Sequence, residues 1–467
     1  MNDFDREVLA RLPLAEAVGV LFRHTVSPEF AASLFDRHRG TGCEVAISFR
    51  TLVELVTDAL VQHGGSGRKS FERAHADGRL EATTRAVYGK LGRVPPRLSQ
   101  AFLAEATQRL CEILPVGCWD TLPASLREIN VVVVDGKKIK NLAKRLKPLR
   151  GIAGKMLAGK GLVALSLSTQ LAVAMETSLD GEANDAPLTP GLLAQVRALL
   201  PRPLLYVADS QFCDLTIPRE ILDQESHFLI RFSNKMRFFP EKSQTGHDRH
   251  GRTVRQEWGW LGAPREGERR LYVRRITLER PGEEDVSLVS DLLDDALYPA
   301  EDLLDVYLQR WTIERVFQQV TEVFQLQQLI GSTPQAALFQ FSLCLLLYNF
   351  IQVIRQYVAM SSQRAPSTIS SELLFHDIRD QLTVVTKLLD RREVIGQLDH
   401  SHPPAAVRER LQELLDDQWT PVWLKAPAKK KTVHPSSPKQ PVAGGHSSAW
   451  KLLRAARASS GPVPPDS

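Results

Sequence analysis

The chain has 467 residues, 43% of them hydrophobic, enough for about two to four globular units with their own cores. Lys and Arg number 59 against 54 Asp and Glu, and the resulting formal charge of +5 is too small to mark a nucleic-acid binder, so that case rests on local clustering. Five cysteines (Cys43, Cys111, Cys118, Cys213, Cys344) show no CxxC or Cys-His spacing, which argues against a disulfide framework or a zinc site and predicts a cytoplasmic protein.

Residues 1–122 read as helices separated by Gly and Pro breaks, and the N-terminus MNDFDREVLARLPL is acidic and helical in pattern, unlike a secretory signal. Within this region, Ser70 to Leu91 gives a helix, a turn at Asp77-Gly78 and a second helix carrying Arg85, Tyr88 and Lys90. A helix-turn-helix reader of DNA ends and a plain helical hairpin both fit that pattern.

Next, Ile129 to Gly136 (INVVVVDG) is a β-branched run ending in Asp-Gly, read as a buried strand that delivers the Asp135 carboxylate at its end. Residues 136–160 then hold nine Lys or Arg, Lys137, Lys138 and Lys140 among them, and no acid. An uncompensated run of this length favours phosphate neutralisation over a merely solvated face. Gly161 to Gln170 and Leu171 to Ser178 read as two strands close enough to pair antiparallel, and Thr189-Pro190 opens a helix. A further strand, from Pro203, ends in Asp209. Strand, strand, strand, helix, strand is the order of a ribonuclease H-like fold, whose first and fourth strands lie side by side, so the two terminal aspartates are expected to meet.

Glu314 comes 105 positions after Asp209, too far for a simple connection. His227 to Phe232 reads as a fifth core strand, and 253–260 and 270–277 alternate like exposed strands, predicting a β-rich insertion at about 234–284. Trp258 and Trp260, two apart, share one face of such a strand. Val286 to Ser290 returns the chain to a helix, YLQRWTIERVFQQVT, over 307–321. At about 100° per residue, Tyr307, Arg310 and Glu314 fall within a roughly 60° arc of that helix, a combination suited to gripping a phosphodiester while holding a metal ion. Leu338 to Ile351 is apolar but short of the roughly 20 residues that span a bilayer, so it is read as a buried core helix with no membrane role. The remainder divides into a helical region, 351–423, and a Pro, Ser, Gly and Lys-rich tail, 424–467, expected to be disordered apart from a short helix at Trp450 to Arg457.

These carboxylates resemble the Asp-Asp-Glu triad of DDE transposases. The spacing of Tyr307, Arg310 and Glu314 resembles the Y-x2-R-x3-E-x6-K signature of the IS-four group of bacterial insertion sequences, and Arg310 to Phe317 is similar to that group's RW-x-IE-x-x-F core. The resemblance spans roughly 125–350 and departs at one position, where Thr321 stands in place of the signature lysine.

It implies an α/β ribonuclease H-like catalytic core (123–350) with the β-rich insertion ahead of the glutamate helix, flanked by helical N-terminal and C-terminal regions. It also implies two Mg²⁺ ions, with Mn²⁺ as an alternative, held by Asp135, Asp209 and Glu314. Asp135 would bridge the metals, and Tyr307 and Arg310 would clamp phosphates. Hydrolysis would free the transposon ends, and attack of their 3′-hydroxyls would join them to target DNA. Trp258 and Trp260 would stack on a base pulled from the duplex, or cover the insertion's small core. The implied partners are double-stranded DNA, as terminal inverted repeats and target, and further copies of the chain in a homodimer or higher oligomer associated with the bacterial nucleoid. A transposon-derived binder that has lost catalysis, and a structure-specific nuclease on the same fold, are the alternative functions.

Overall fold

The computed structural model describes residues 3–42, 44, 46–115, 122–263, 270–389, 402–425 and 445–459. Seven helices lead the described chain: α1 (Asp3–Ala10), α2 (Pro13–Thr25), α3 (Pro28–His38), α4 (Phe49–Gln62), α5 (Gly67–Ala76), α6 (Thr84–Leu91) and α7 (Pro96–Cys111). Their starts are written locally. Ser27, Ser48, Ser66 and Thr83 each accept the backbone N–H three residues on, and prolines open α2, α3 and α7, where a missing N–H costs nothing. Helices α5 and α6 form the expected pair. Tyr88 sits edge-on to Phe71, Lys90 lies over the Phe35 ring and bonds the Ile47 carbonyl, and only Arg85 of the three polar residues points fully to solvent.

The central element is a sheet of nine strands among the described residues. These are β1 (Asn130–Ile139), β3 (Gly159–Ser166), β4 (Ala172–Ser178), β5 (Leu204–Ala208), β6 (His227–Arg231), β7 (Phe238–His247), β8 (Thr253–Leu261), β9 (Leu271–Leu278) and β10 (Val286–Ser290), with β2 (Lys155–Leu157) outside it. Their spatial order is β4-β3-β1-β5-β6-β10-β9-β8-β7. Strands β1, β5 and β6 run parallel, which requires the crossover helices α8 (Thr189–Leu199) and α9 (Thr216–Asp223), and the other pairings are antiparallel. The β-rich segment is therefore no separate unit. β10 pairs β6 on one side and β9 on the other, so β7 to β9 widen the same sheet.

Beyond the sheet come α10 (Ala300–Leu308), α11 (Trp311–Glu322), α12 (Pro334–Ser361), α13 (Ser371–Leu388) and α14 (Pro404–Leu415). Helix α12 is apolar on every side and is buried from Pro334 to Ala359, apart from Gln335. By length and composition it could cross a membrane, but its most apolar window is wholly enclosed, as the buried-helix reading expects. Asn349 within it is fully bonded, accepting from the Ala172 N–H at 2.9 Å and donating to the Ala172 carbonyl at 3.0 Å and Thr107 Oγ1 at 2.8 Å. Helix α12 runs through residue 350, so the expected boundary between core and C-terminal region falls inside one continuous helix, and α7, β3 and β4 all pack on it.

The tail expectation also needs correcting. Residues 426–444 and 460–467 lie outside the described residues, but 445–459 are folded, as β11 (His446–Ser448), paired with β2, and α15 (Ala449–Ser459). The short helix expected at Trp450 to Arg457 lies within α15, and what composition missed is β11, which takes its hydrogen bonds from the edge of β2.

Candidate active site

Parallel pairing of β1 with β5 ends at Val133 opposite Val207, and Asp135 and Asp209 each stand two residues farther along. Asp209 lies just beyond the end of β5, where its side chain accepts the Gln211 N–H at 2.8 Å. Asp135, expected at a strand end, is within β1, because pairing with β3 carries the strand on to Ile139 after β5 has stopped. One side of β1 is left open there. A crevice beyond the carboxyl ends of parallel strands is where α/β sheets bind ligands.

The glutamate helix also differs from its expected form. Helix α10 ends at Leu308 and α11 begins at Trp311, with i→i+3 bonds from Arg310 N to Tyr307 O (2.9 Å), Thr312 N to Gln309 O (2.8 Å) and Ile313 N to Arg310 O (3.1 Å) tightening the turn between them. Tyr307 and Glu314 thus sit on two helices joined by a tight turn. Arg310 in that turn still couples them. Its guanidinium reaches Glu314 Oε1 at 3.1 Å and Asp135 Oδ2 at 3.7 Å, bonds the Tyr307 hydroxyl, and lies 5.1 Å from the exposed Trp311 ring. Burial opposes its charge, but Tyr307, Asp135 and Glu314 hold its pKa above the ordinary arginine value. Its Nε is buried without an acceptor among the described residues, a donor left available to an incoming oxygen.

Burial pushes the Asp135 carboxyl up to about 6, against the Gly136 amide and Arg310, which favour its charged form; Asp209 and Glu314 push it further up. Asp135 thus feels both of the other carboxylates. The all-oxygen chemistry of the three suits Mg²⁺ or Mn²⁺ rather than zinc. Among the described residues no three of His, Cys, Asp or Glu stand as a formed metal cage, and here Arg310 bridges two of the three acids.

Beside Asp135 opens a polar cavity of about 330 Å³, lined by Lys137, Lys138, Lys140, Lys160, Asp185 and Gln211 among others. Lys138 and Lys140 are exposed, while Lys137 reaches across the Phe317 ring (5.6 Å) toward α11, and burial lowers its pKa. The sequence reading missed the buried Lys160–Asp185 ion pair (2.8 Å). Its signal was a lysine within an otherwise apolar strand, GKGLVALS. A Cβ at Gly136 would come within 2.2 Å of Asp185 Oδ1, so the glycine that follows Asp135 is needed for this close approach. Thr321, where the signature lysine is expected, spends its hydroxyl on the Phe317 carbonyl at 2.6 Å.

The two tryptophans lie away from this cluster, on β8. Trp258 is 6% exposed and donates to the Leu293 carbonyl at 2.8 Å, with Lys242 over its ring, so it packs within the sheet and is not available for stacking on a base. Trp260 is half-buried, edge-on to Tyr272 and covered by Arg270, and donates to Glu241 at 2.8 Å.

Comparison with known proteins adds the following. No curated protein matches the chain. Among solved structures it is similar to a piggyBac transposase in a cryo-EM synaptic complex with hairpin DNA, at 12% identity over 86% of each chain with a TM-score of 0.40. Residues 126–350 match the family model of the transposase DDE domain, and that match supports a DDE transposase.

Proposed function

We propose that this chain is a transposase of the IS-four group that cleaves transposon ends and joins their 3′-hydroxyls to target DNA, with Asp135, Asp209 and Glu314 as its catalytic carboxylates. One observation carries the proposal: Asp135 and Asp209 stand just past the last paired rung of adjacent parallel strands, and Arg310 couples Asp135 to Glu314. The strand order β4-β3-β1-β5-β6, with β1, β5 and β6 parallel, supports a ribonuclease H-like core. A helical N-terminal region, the β-rich widening of the sheet and the C-terminal helices complete the organisation.

Asp135, Asp209 and Glu314 would hold two Mg²⁺ ions, which when bound polarise phosphoryl oxygens and activate the attacking oxygen. The chain's own residues do the rest. Arg310 carries donors in a fork that matches two phosphate oxygens, and its exchange of Asp135 and Glu314 for the scissile phosphate would release both acids for the metals. Tyr307 keeps the guanidinium plane oriented. Lys137, Lys138 and Lys140 neutralise phosphates alongside, without base selectivity. Trp260 is the aromatic left for contact with a displaced base. Holding two ends at once requires at least two copies of the chain on DNA.

Incubation of the protein with Mg²⁺, duplexes bearing the element's terminal repeats and a supercoiled target is expected to give joined products, and Asp135→Ala to give none. Cut but unjoined products would make the protein a nuclease, and binding without either product would make it a non-catalytic DNA binder. Joining by Asp135→Ala would overturn the site.

A further inference from the structure

Residues 445–459 are built into the fold beside the basic loop. Strand β11 lies parallel to β2, with His446, Ser447 and Ser448 opposite Lys155, Met156 and Leu157, and the Lys155 N–H donates to the Gly445 carbonyl at 3.2 Å. Among the described residues β11 is the only strand that pairs β2. Ser448 and Ala449 are buried, Leu452 and Leu453 pack against the core, and α15 rests on the turn at Lys147–Leu149. Lys451 closes the joint with ion pairs to Glu182 (2.6 Å) and Asp180 (3.4 Å). The loop that follows Asp135 is therefore held from one side by a segment almost three hundred residues later in the chain.

The outward side of this joint is basic. Lys144 turns inward, donating to the Ile152 and Gly154 carbonyls. Lys147, Lys155 and Arg454 are exposed, and none has an ion-pair partner among the described residues. Exposed Lys138 and Lys140 continue the charge to the cavity at Asp135. The nearby acids Asp180 and Glu182 are engaged by Lys451. Like charges held together on folded elements, with Asp180 and Glu182 beside them engaged by Lys451, complement a polyanion.

We propose that residues 445–459 and the loop at 140–158 form one composite face that binds the phosphate backbone of duplex DNA outside the reacting phosphodiester. The choice of DNA as the polyanion rests on the transposase reading. The tail then has two tasks: its strand fixes the loop, and its helix adds a phosphate contact through Arg454.

The salt dependence of binding to a fluorescein-labelled duplex, measured in EDTA so that no chemistry occurs, tests the face. Each lost phosphate contact lowers the slope of log K against log salt by about 0.9, so the Lys147→Gln/Arg454→Gln pair is expected to lower it by nearly 2. Truncation after residue 444 is expected to lower it by at least the Arg454 share and to speed amide exchange at Lys155–Leu157. An unchanged slope in the folded double variant, with wild type binding the duplex, overturns the face while leaving the transposase reading intact. Unchanged exchange at Lys155–Leu157 in a folded truncation overturns the strand's role. A wild-type protein that binds no duplex overturns both the face and the transposase reading.

Discussion

Asp135→Asn is expected to make the metal-free protein more stable at neutral pH. The Asp135 side chain is only 20% exposed, and burial lifts its pKa from 3.8 to about 6. An acid that holds its proton more tightly when folded than when unfolded carries no penalty below the unfolded value. The penalty grows as pH rises between the two values and is complete above the folded one. About two pKa units at about 1.36 kcal/mol each give roughly 3 kcal/mol at pH 7. Asparagine keeps the acceptor for the Gly136 N–H, a 2.8 Å bond, but gives up the attraction to Arg310, so a net gain of about 1–3 kcal/mol is expected. Urea unfolding in EDTA from pH 4 to pH 7 measures it: the variant's advantage is expected to be full at pH 7 and to fade toward pH 4 as wild-type Asp135 takes up its proton. Saturating Mg²⁺ is expected to cancel or reverse the variant's advantage, adding about 2.7 kcal/mol to wild type at a hundredfold excess over Kd and little to the variant. A variant no more stable than wild type at pH 7, or equally favoured at pH 4, would refute the reasoning.

Three further substitutions probe what surrounds the site. Lys160→Met leaves the Asp185 carboxylate buried and alone, an expected loss of about 3–5 kcal/mol in the same unfolding assay, and adding Asp185→Leu is expected to restore much of it. Gly136→Ala drives a methyl into the Asp185 carboxylate, with an expected cost of about 1–3 kcal/mol and a loss of strand joining, whereas normal joining would remove Gly136 from the site's requirements. Asn349→Leu strands the Ala172 N–H in the core and leaves the Ala172 carbonyl only the Thr107 hydroxyl at 3.3 Å. It is expected to cost about 2–4 kcal/mol and to expose β4 to faster hydrogen exchange, which a mere loss of packing would not confine to that strand.

The local chemistry of the chain was legible before any tertiary contact was known. Val131 to Val134 could hardly avoid a buried strand, the β-rich stretch and the strand at Val286–Ser290 fall where alternation places them, and α12 is the apolar helix its composition demands. Asp135, Asp209 and Glu314 were each legible locally, the aspartates beside β-branched or apolar runs and the glutamate on an amphipathic helix, because the period of each element is set by its own side chains. The break between Leu308 and Trp311 was not visible, since Gln309 and Arg310 have nothing against helix; only Arg310's reach to Asp135, on a strand 175 positions earlier, accompanies the tight turn.

What only the tertiary structure decided is what long-range pairing decides. Asp135 became a mid-strand residue because β3 is longer than β5. Lys160 and Asp185 became a buried pair through the meeting of a strand and a loop. Trp258 was enclosed while Trp260, on the same strand, stayed partly open. The helix near Trp450 was legible in the sequence, but the strand ahead of it forms only because β2 offers it an edge. Composition and periodicity report how a segment interacts with itself and with water, and therefore determined the elements and the three acids; the partners those elements meet across hundreds of residues were decided only when the sheet closed.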